Sequence, residues 1–299
     1  MAVRTLRTPD WFHPDGFPIT VERRDPQGPF GPHAHAFSEL VVVTGGRGRH
    51  VTAGESWPLA AGDVFVIGGP RPHHYREMES LCLINILFLP RRLHWDVADL
   101  KALPGYHALF TLEPAWRSRH GFRSRLHLSP EELGVVLGHV DRLDAELRAR
   151  APGFGALATA WFVQIVGYLA RCYGRAKNPD SRALLRIAEA ITHLETHAEE
   201  EVNLDVLAGI AHMSKRNFNR AFQAATGSSP IAYLIRLRLN RAAALLRAGD
   251  DPVTDIAFRV GFNDSNYFTR QFRQVLGLSP REYRRQHRKL DLRDGLRPR

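Results

Sequence analysis

Apolar and polar positions follow two different rhythms along this chain. From Phe37 to about Leu89 the apolar residues come as short runs of Val, Ile, Leu and Phe, interrupted at Gly45-Gly46, Ala53-Gly54, Ala61-Gly62 and Gly68-Gly69-Pro70. Short strands punctuated by turn residues at this spacing predict an all-β barrel or jelly roll. Residues 1 to 27, rich in Pro, Asp and Arg, predict an irregular lead-in. After Ser129 the rhythm becomes helical. Ser129-Pro130-Glu131-Glu132 supplies an N-cap, a first-turn proline and a capping-box glutamate. Leu133, Val136, Val140, Leu143 and Leu147 follow at spacings of 3, 4, 3 and 4. That is an a/d seam. It is expected to pair with a second copy of the chain, the other reading being a helix packed on its own barrel. A second apolar helix is predicted from about Ala156 to Tyr173, and Gly174 to Asp180 reads as a helix-breaking linker.

The last third writes one phrase twice. Phe218-Asn219-Arg220-Ala221-Phe222, with Gly227 and Ser229-Pro230 behind it, recurs 50 residues later as Phe268-Thr269-Arg270-Gln271-Phe272, Gly277 and Ser279-Pro280. Leu207-Ala208 and Ile256-Ala257 precede turns through Met213-Ser214 and Gly261 to Asn263. Apolar helix, tight turn and second helix make a helix-turn-helix, and two copies make paired modules rather than a solenoid. Phenylalanines four apart share a face, and a residue two positions on is turned about 200° away. Arg220 and Arg270 therefore face outward, with Arg216, Asn219, Asn266 and Thr269 beside them. Arginine offers guanine a fork and asparagine offers one to adenine, so these six are the predicted base readers. Ser214, Lys215, Ser265, Arg284 and Arg285 are the predicted phosphate contacts, on a last helix that also carries Arg288 and Lys289 for the late residues. Ser214 is also a predicted cap, as is either Asp264 or Ser265. Between the modules, Ser229-Pro230 opens a helix to Ala248, ended by Gly249. Its span of about 28 Å approaches the spacing of about 34 Å between successive major grooves.

Charge reinforces this division. Of 41 Lys and Arg and 31 Asp and Glu in 299 residues, residues 181 to 299 hold 20 and 13. The basic excess therefore collects on the repeat, as a phosphate-binding surface requires. Cys82 and Cys172 show no paired spacing and are expected as buried free thiols in a reducing compartment. The start has no apolar leader and no run looks long enough for a bilayer, so a cytoplasmic protein with no membrane partner is expected.

The barrel segment also carries chemistry. His33-Ala34-His35, Glu39 and Gly46 follow the spacing HxH, three residues, E, six residues, G, and Pro72-His73 comes later. The stretch resembles the cupin barrel, although Gly68-Gly69-Pro70 stands where that family has PxG. His33, His35, Glu39 and His73, converging from two strands, can hold a divalent metal or hydrogen-bond the hydroxyls of a small polar ligand. Asn85, the one polar residue from Leu83 to Leu89, is a further candidate for the pocket.

As a whole the chain resembles the AraC/XylS-type bacterial transcription regulators, most specifically at Ile256-Ala257, Val260-Gly261-Phe262, Tyr267-Phe268, Arg270, Phe272, Gly277 and Ser279 to Arg284. Pro32 to His35, Phe37, Glu39-Leu40 and Gly62 to Phe65 are similar to rhamnose-operon regulators. The resemblance implies an α+β protein of two domains, a cupin-like barrel or jelly roll (1–104) and an all-α double helix-turn-helix (181–290), joined by a helical connector (105–180) and followed by a tail (291–299) expected as disordered. It also implies a homodimer on tandem promoter sites, switched by a sugar, with RNA polymerase as a further partner. It implies Arg216, Asn219, Arg220, Asn266 and Arg270 as base readers, and a barrel with no catalytic residues, cofactor or metal. Two rival expectations stand beside it: a metal-dependent cupin enzyme with an appended DNA module, and a constitutive DNA binder with no effector.

Overall fold

A computed structural model describes residues 3–52, 54–93, 98–120 and 122–294. The chain divides into two compact units, Met1–Glu189 and Ala190–Arg299. The division falls inside a helix rather than in the polar stretch 174–180.

The first unit is built on one eight-stranded sheet: β1 (Arg4–Leu6), β2 (Ile19–Arg24), β3 (His33–His35), β4 (Ser38–Thr52), β5 (Glu55–Ala60), β6 (Asp63–Ile67), β7 (His73–Phe88) and β8 (Leu126–His127). The order is β1-β3-β7-β4-β6-β8, with β2 on β7 and β5 on β4. Its spine is the antiparallel pair β4 and β7, in register from Ser38 opposite Phe88 to Thr52 opposite His73. Alternation along these strands explains the barrel core. Val41 and Val43 point inward with Tyr75, Leu81 and Leu83, while Leu40 and Val42 are buried from the other face. The expected break at Gly45-Gly46 is instead a bulge inside β4, with register shifts between Val43 and Arg49. Gly46 has φ +64°, and a Cβ there would lie 2.0 Å from the Ser80 carbonyl oxygen, so only glycine keeps the long strand paired.

Short helices follow β7: α1 (Ala98–Lys101), α2 (Pro104–Tyr106), a π-helical turn (His107–Leu112) and α3 (Glu113–His120). Three long ones follow, α4 (Pro130–Ala149), α5 (Phe154–Gly174) and α6 (Pro179–Thr196). The predicted capping box opens α4: Glu132 N–H donates to Ser129 Oγ and Ser129 N–H to the Glu132 carboxylate. The seam expected to join two chains is used inside one. Val136, Val140 and Leu143 are 0% exposed, and Leu133 and Leu147 are half-buried. Arg23 of β2 donates to Asp141 and Asp144 of α4, so this helix is tied to the barrel as well. α5 has the length and apolarity to cross a membrane, contrary to the sequence reading; one face of it, Phe162, Ile165, Val166, Leu169 and Tyr173, is fully buried in the unit. Cys172 is buried as expected. Cys82 is not, being half-buried with its thiol donating to Asp25.

The second unit continues with α7 (Leu204–Ile210), α8 (Lys215–Thr226), α9 (Pro230–Ala248), α10 (Val253–Arg259), α11 (Ser265–Leu276) and α12 (Pro280–Asp294). α9 serves both modules. Near its start Tyr233 meets the Phe222 ring edge-on. Further along, Leu239, Ala242 and Leu246 join a core with Ile256, Ala257, Phe268 and Phe272. α12 continues to Asp294, through part of the tail expected as disordered; residues 295–299 lie outside the described residues.

Candidate nucleic-acid interface and sensor cavity

The amphipathic pattern of α8 and α11 sets the DNA-facing side chains. Phe218, Phe222, Phe268 and Phe272 are 0% exposed, which turns Arg216, Arg220, Asn266 and Arg270 outward, all exposed. Asn219 and Thr269 are half-buried at the edge of that face. The side chains of Arg216, Asn219 and Asn266 make no hydrogen bond among the described residues. Arg220 donates to Asn217 at 3.3 Å, and the Arg270 guanidinium lies 5.9 Å from the centre of the Tyr267 ring. Both contacts are exposed and steer the fork without burying it.

Two expected DNA contacts have other employment. Thr269 Oγ donates to the Ser265 carbonyl at 2.8 Å, so it offers bases a methyl and an acceptor rather than a donor. Arg284 is half-buried and donates to the main-chain carbonyls of Asp250 and Asp251, which makes it a clamp on the loop after α9 rather than a phosphate contact. Ser214 caps α8 through Asn217 N–H, and Asp264, not Ser265, caps α11 through Asn266 and Tyr267 N–H. Lys215 pairs with Asp205 at 2.7 Å, both exposed, a weak tie that a phosphate can displace. Arg285 is exposed with no hydrogen bond among the described residues, and the side chains of Arg288 and Lys289 lie outside them. Gln223 and Arg273, three residues on from Arg220 and Arg270, are exposed as well.

In the barrel, strand register brings the distant histidines together. His33 on β3 is directly opposite His73 on β7, their ring centres 4.2 Å apart. His35, two residues along β3, keeps the same face and reaches Glu39: Nε2 to Oε2 is 3.0 Å, and His73 Nε2 is 3.5 Å from that oxygen. The outer nitrogens face main-chain carbonyls, His33 Nδ1 at Gly31 (3.0 Å), His35 Nδ1 at Phe37 (2.8 Å) and His73 Nδ1 at Arg71 (3.1 Å). A carbonyl only accepts, so His33 and His73 carry a hydrogen on Nδ1 and turn Nε2 inward, while His35 faces an acceptor at both ring nitrogens, the Phe37 carbonyl and the Glu39 carboxylate. Burial alone would raise the Glu39 carboxyl, but the hydrogen-bonded His35 and the neighbouring His73 hold it well below the usual carboxylate range. Burial and neighbouring His73 push His33 down to about 4.

Beside this cluster is a cavity of about 200 Å³, lined by Trp11, Glu22, Arg24, Phe30, Tyr75 and Asn85 together with His33, His35 and Glu39. Asn85 Oδ1, the Tyr75 hydroxyl, His73 Nε2 and both ring nitrogens of His50 are buried without a hydrogen-bond partner among the described residues. Such atoms are costly unless something binds them. Tyr75 could have been read from alternation with His73. Glu22 could not, because it arrives opposite Asn85 only through the long-range pairing of β2 with β7.

Residues 207–286 match the helix-turn-helix domain family, and residues 18–150 match the AraC-like ligand binding domain. The chain is 32% identical over 281 residues to the HTH-type transcriptional activator RhaS of Enterobacter sp. (strain 638), covering 93% of this chain and 96% of that one. It belongs to the AraC family. RhaS of Escherichia coli O1:K1 / APEC is likewise 32% identical over 283 residues, 93% of this chain and 96% of its own. Among solved structures, the DNA-binding domain of AdpA in complex with a target DNA is 36% identical, covering 35% of this chain and 94% of that chain, with a TM-score of 0.34. As an AraC-family protein the chain is a DNA-binding transcription regulator with a ligand-binding domain. The ligand-domain match takes in the sheet from β2 to β8 and α4, and the helix-turn-helix match takes in both repeat copies.

Proposed function

We propose that this regulator is a transcriptional activator that binds tandem major-groove sites as a homodimer in the cytoplasm, and that a monosaccharide in the barrel switches it. The observation that carries the effector reading is the cavity. Asn85 Oδ1 and the Tyr75 hydroxyl lack partners among the described residues, Glu22 and Arg24 stand at the same wall, and Trp11 and Phe30 offer flat apolar faces. Hydroxyls spaced around a ring satisfy the first group while its C–H faces cover the aromatics. His33, His35, Glu39 and His73 adjoin this ligand. Arg216, Asn219, Arg220, Asn266 and Arg270 read bases, with Thr269 contributing apolar contact. Lys215, Ser265 and Arg285 hold phosphates beside the cap Ser214.

With the heptad seam buried, a second copy meets the outer side of the α4–α5 pair, where Val135 and Leu157 are 42% and 51% exposed. The effector must favour one arrangement of the dimer over another to switch it, and RNA polymerase is the partner that reads the outcome. Selection of DNA from a random pool, with and without a panel of monosaccharides, tests the whole. A sugar at 100 times its Kd adds about 2.7 kcal/mol of stability, changes the enriched spacing, and loses both effects in Asn85→Leu. Identical selected sites with every sugar, and no thermal shift, would sink the effector reading.

A further inference from the structure

We infer that the sensor unit has a second binding site, a cavity between β6 and α3 that takes one small organic carboxylate with a compact apolar body. The cavity holds about 470 Å³, against about 200 Å³ for the one beside the histidine cluster, and no described residue lines both. Val66, Ile67, Pro72 and Pro114 supply its apolar wall. Its polar groups are three: His50 from β4, Arg71 ahead of β7 and Arg117 from α3.

His50 is 0% exposed, and neither of its ring nitrogens has a hydrogen-bond partner among the described residues. The rings of Trp57, Phe65, Tyr75 and Phe122 stand around it, their centres 6.2, 5.1, 5.6 and 6.1 Å away. Two orphaned polar atoms in such a setting are costly unless a ligand completes them. Burial and the neighbouring Arg117 push the His50 pKa well down, so the ring is neutral, with one nitrogen to donate and one to accept.

The charge balance selects the ligand. Arg117, 4% exposed, donates through Nε to Glu113 at 3.1 Å and through Nη2 to Glu113 and to the Val66 carbonyl oxygen, while Nη1 makes no hydrogen bond among the described residues. Glu113, 0% exposed, cancels the Arg117 charge. Arg71 is exposed, donates to the Pro114 carbonyl oxygen and has no carboxylate partner among the described residues. No described acidic side chain lines the cavity, which leaves one uncompensated positive charge at its mouth. A single carboxylate answers that charge and accepts from guanidinium donors. The frame is rigid: the Arg117 guanidinium lies 4.5 Å from the Phe122 ring centre and 5.1 Å from that of Phe65, and Thr52 Oγ donates to the Pro72 carbonyl at 2.8 Å. The donors are therefore held before anything binds.

The test uses the full chain without sugar or DNA, so its outcome is separate from that of the monosaccharide reading. Titration calorimetry with cyclohexanecarboxylate is expected to show one saturable site per chain with a Kd at or below about 1 mM. Cyclohexanecarboxamide, the same shape without the charge, is expected to bind at least about tenfold more weakly. Arg71→Gln should weaken the carboxylate about tenfold and Arg71→Lys less than about threefold. Arg76→Gln, the same loss of charge at an exposed arginine outside both cavities, should keep binding within about twofold. His50→Phe should abolish binding while holding or raising the melting temperature of the ligand-free chain, because it removes the two orphaned atoms and keeps a ring. Should His50→Phe fail to fold, the Arg71 variants decide. No saturable heat up to about 10 mM carboxylate overturns the inference, as does the amide binding as tightly as the acid, or Arg71→Gln binding as tightly as the wild type. Binding lost in Arg24→Gln but kept in Arg71→Gln would put the carboxylate in the first cavity and overturn it too.

Discussion

As packing units α8 and α11 are one helix used twice, and as surfaces they are two different helices. Each has 12 residues, a buried phenylalanine pair one turn apart, and a left-handed glycine at its end, Gly227 at φ 76° and Gly277 at φ 78°. Outside, Arg216 corresponds to Asn266, Lys215 to Ser265 and Asn219 to Thr269, and only Arg220 and Arg270 are the same residue. The entrances differ too. The turn before α8 places His212 at φ 52°, and the turn before α11 places Gly261 at φ 95°. α8 is capped by a hydroxyl and α11 by a carboxylate. Burial holds the inner positions to one solution, while the outer ones are free to suit two different half-sites.

The most severe way to break the comparison is through the shared interior. Phe218→Ala and Phe268→Ala should each cost about 3 to 5 kcal/mol, read as lost amide protection in α8 or α11 by exchange mass spectrometry. A large loss in only one of them would mean that the two cores are not equivalent. The entrances should separate next. A Cβ at Gly261 would lie 2.7 Å from the Glu199 carbonyl oxygen, so Gly261→Ala should cost about 1 to 3 kcal/mol. His212→Gly should change stability by less than about 1 kcal/mol, in the favourable direction.

The outward faces give the third test. Arg220→Ala and Arg270→Ala should each remove about 1 to 3 kcal/mol of specific binding and relax preference at different base pairs, whereas Arg285→Ala should weaken all sequences alike and lower the salt slope by about 1. Relaxation at the same base pair in both arginine variants would contradict one module per half-site. The smallest effect is a titration. Hydrogen bonds from the Tyr267 and Asn266 amides hold Asp264 below its usual value. A depressed carboxylate contributes stability above its unfolded pKa and loses it as pH falls through the folded one. Acidification below about pH 4 should therefore shift the Tyr267 amide resonance while that of Asn217, capped by Ser214, stays put. Asp264→Ser should abolish the shift.

Legibility in the sequence tracked the range of the contacts involved. The double helix-turn-helix could be read because its signals are local: a phenylalanine pair one turn apart, a cap before it and a glycine after it, written twice. The inward set of the barrel was partly readable, since HxH and Glu39 lie only four residues apart, on strands consecutive in the chain. His73 was placed by resemblance, and Glu22, Arg24 and Trp11 carried no local signal. Their positions follow from strand pairings tens of residues apart. The α4 seam was visible as a pattern, but a 3,4 spacing is equally satisfied by a partner helix in another chain or in the same one. Arg284 looked like its neighbours in a basic run, and only its two carbonyl partners distinguish it from Arg285.

By itself the sequence determined where the second helix of each repeat copy begins and ends, which side of it is buried, and that two such modules stand in tandem. It did so because caps, periodicity and left-handed glycines act within a few residues. Tertiary structure alone decided that the seam Val136–Val140–Leu143 closes on its own unit, that β4 bends through Gly46 without breaking, and that three imidazoles meet one carboxylate beside a cavity. Those outcomes depend on which distant surfaces exclude water together, and nothing in the local order of residues specifies that.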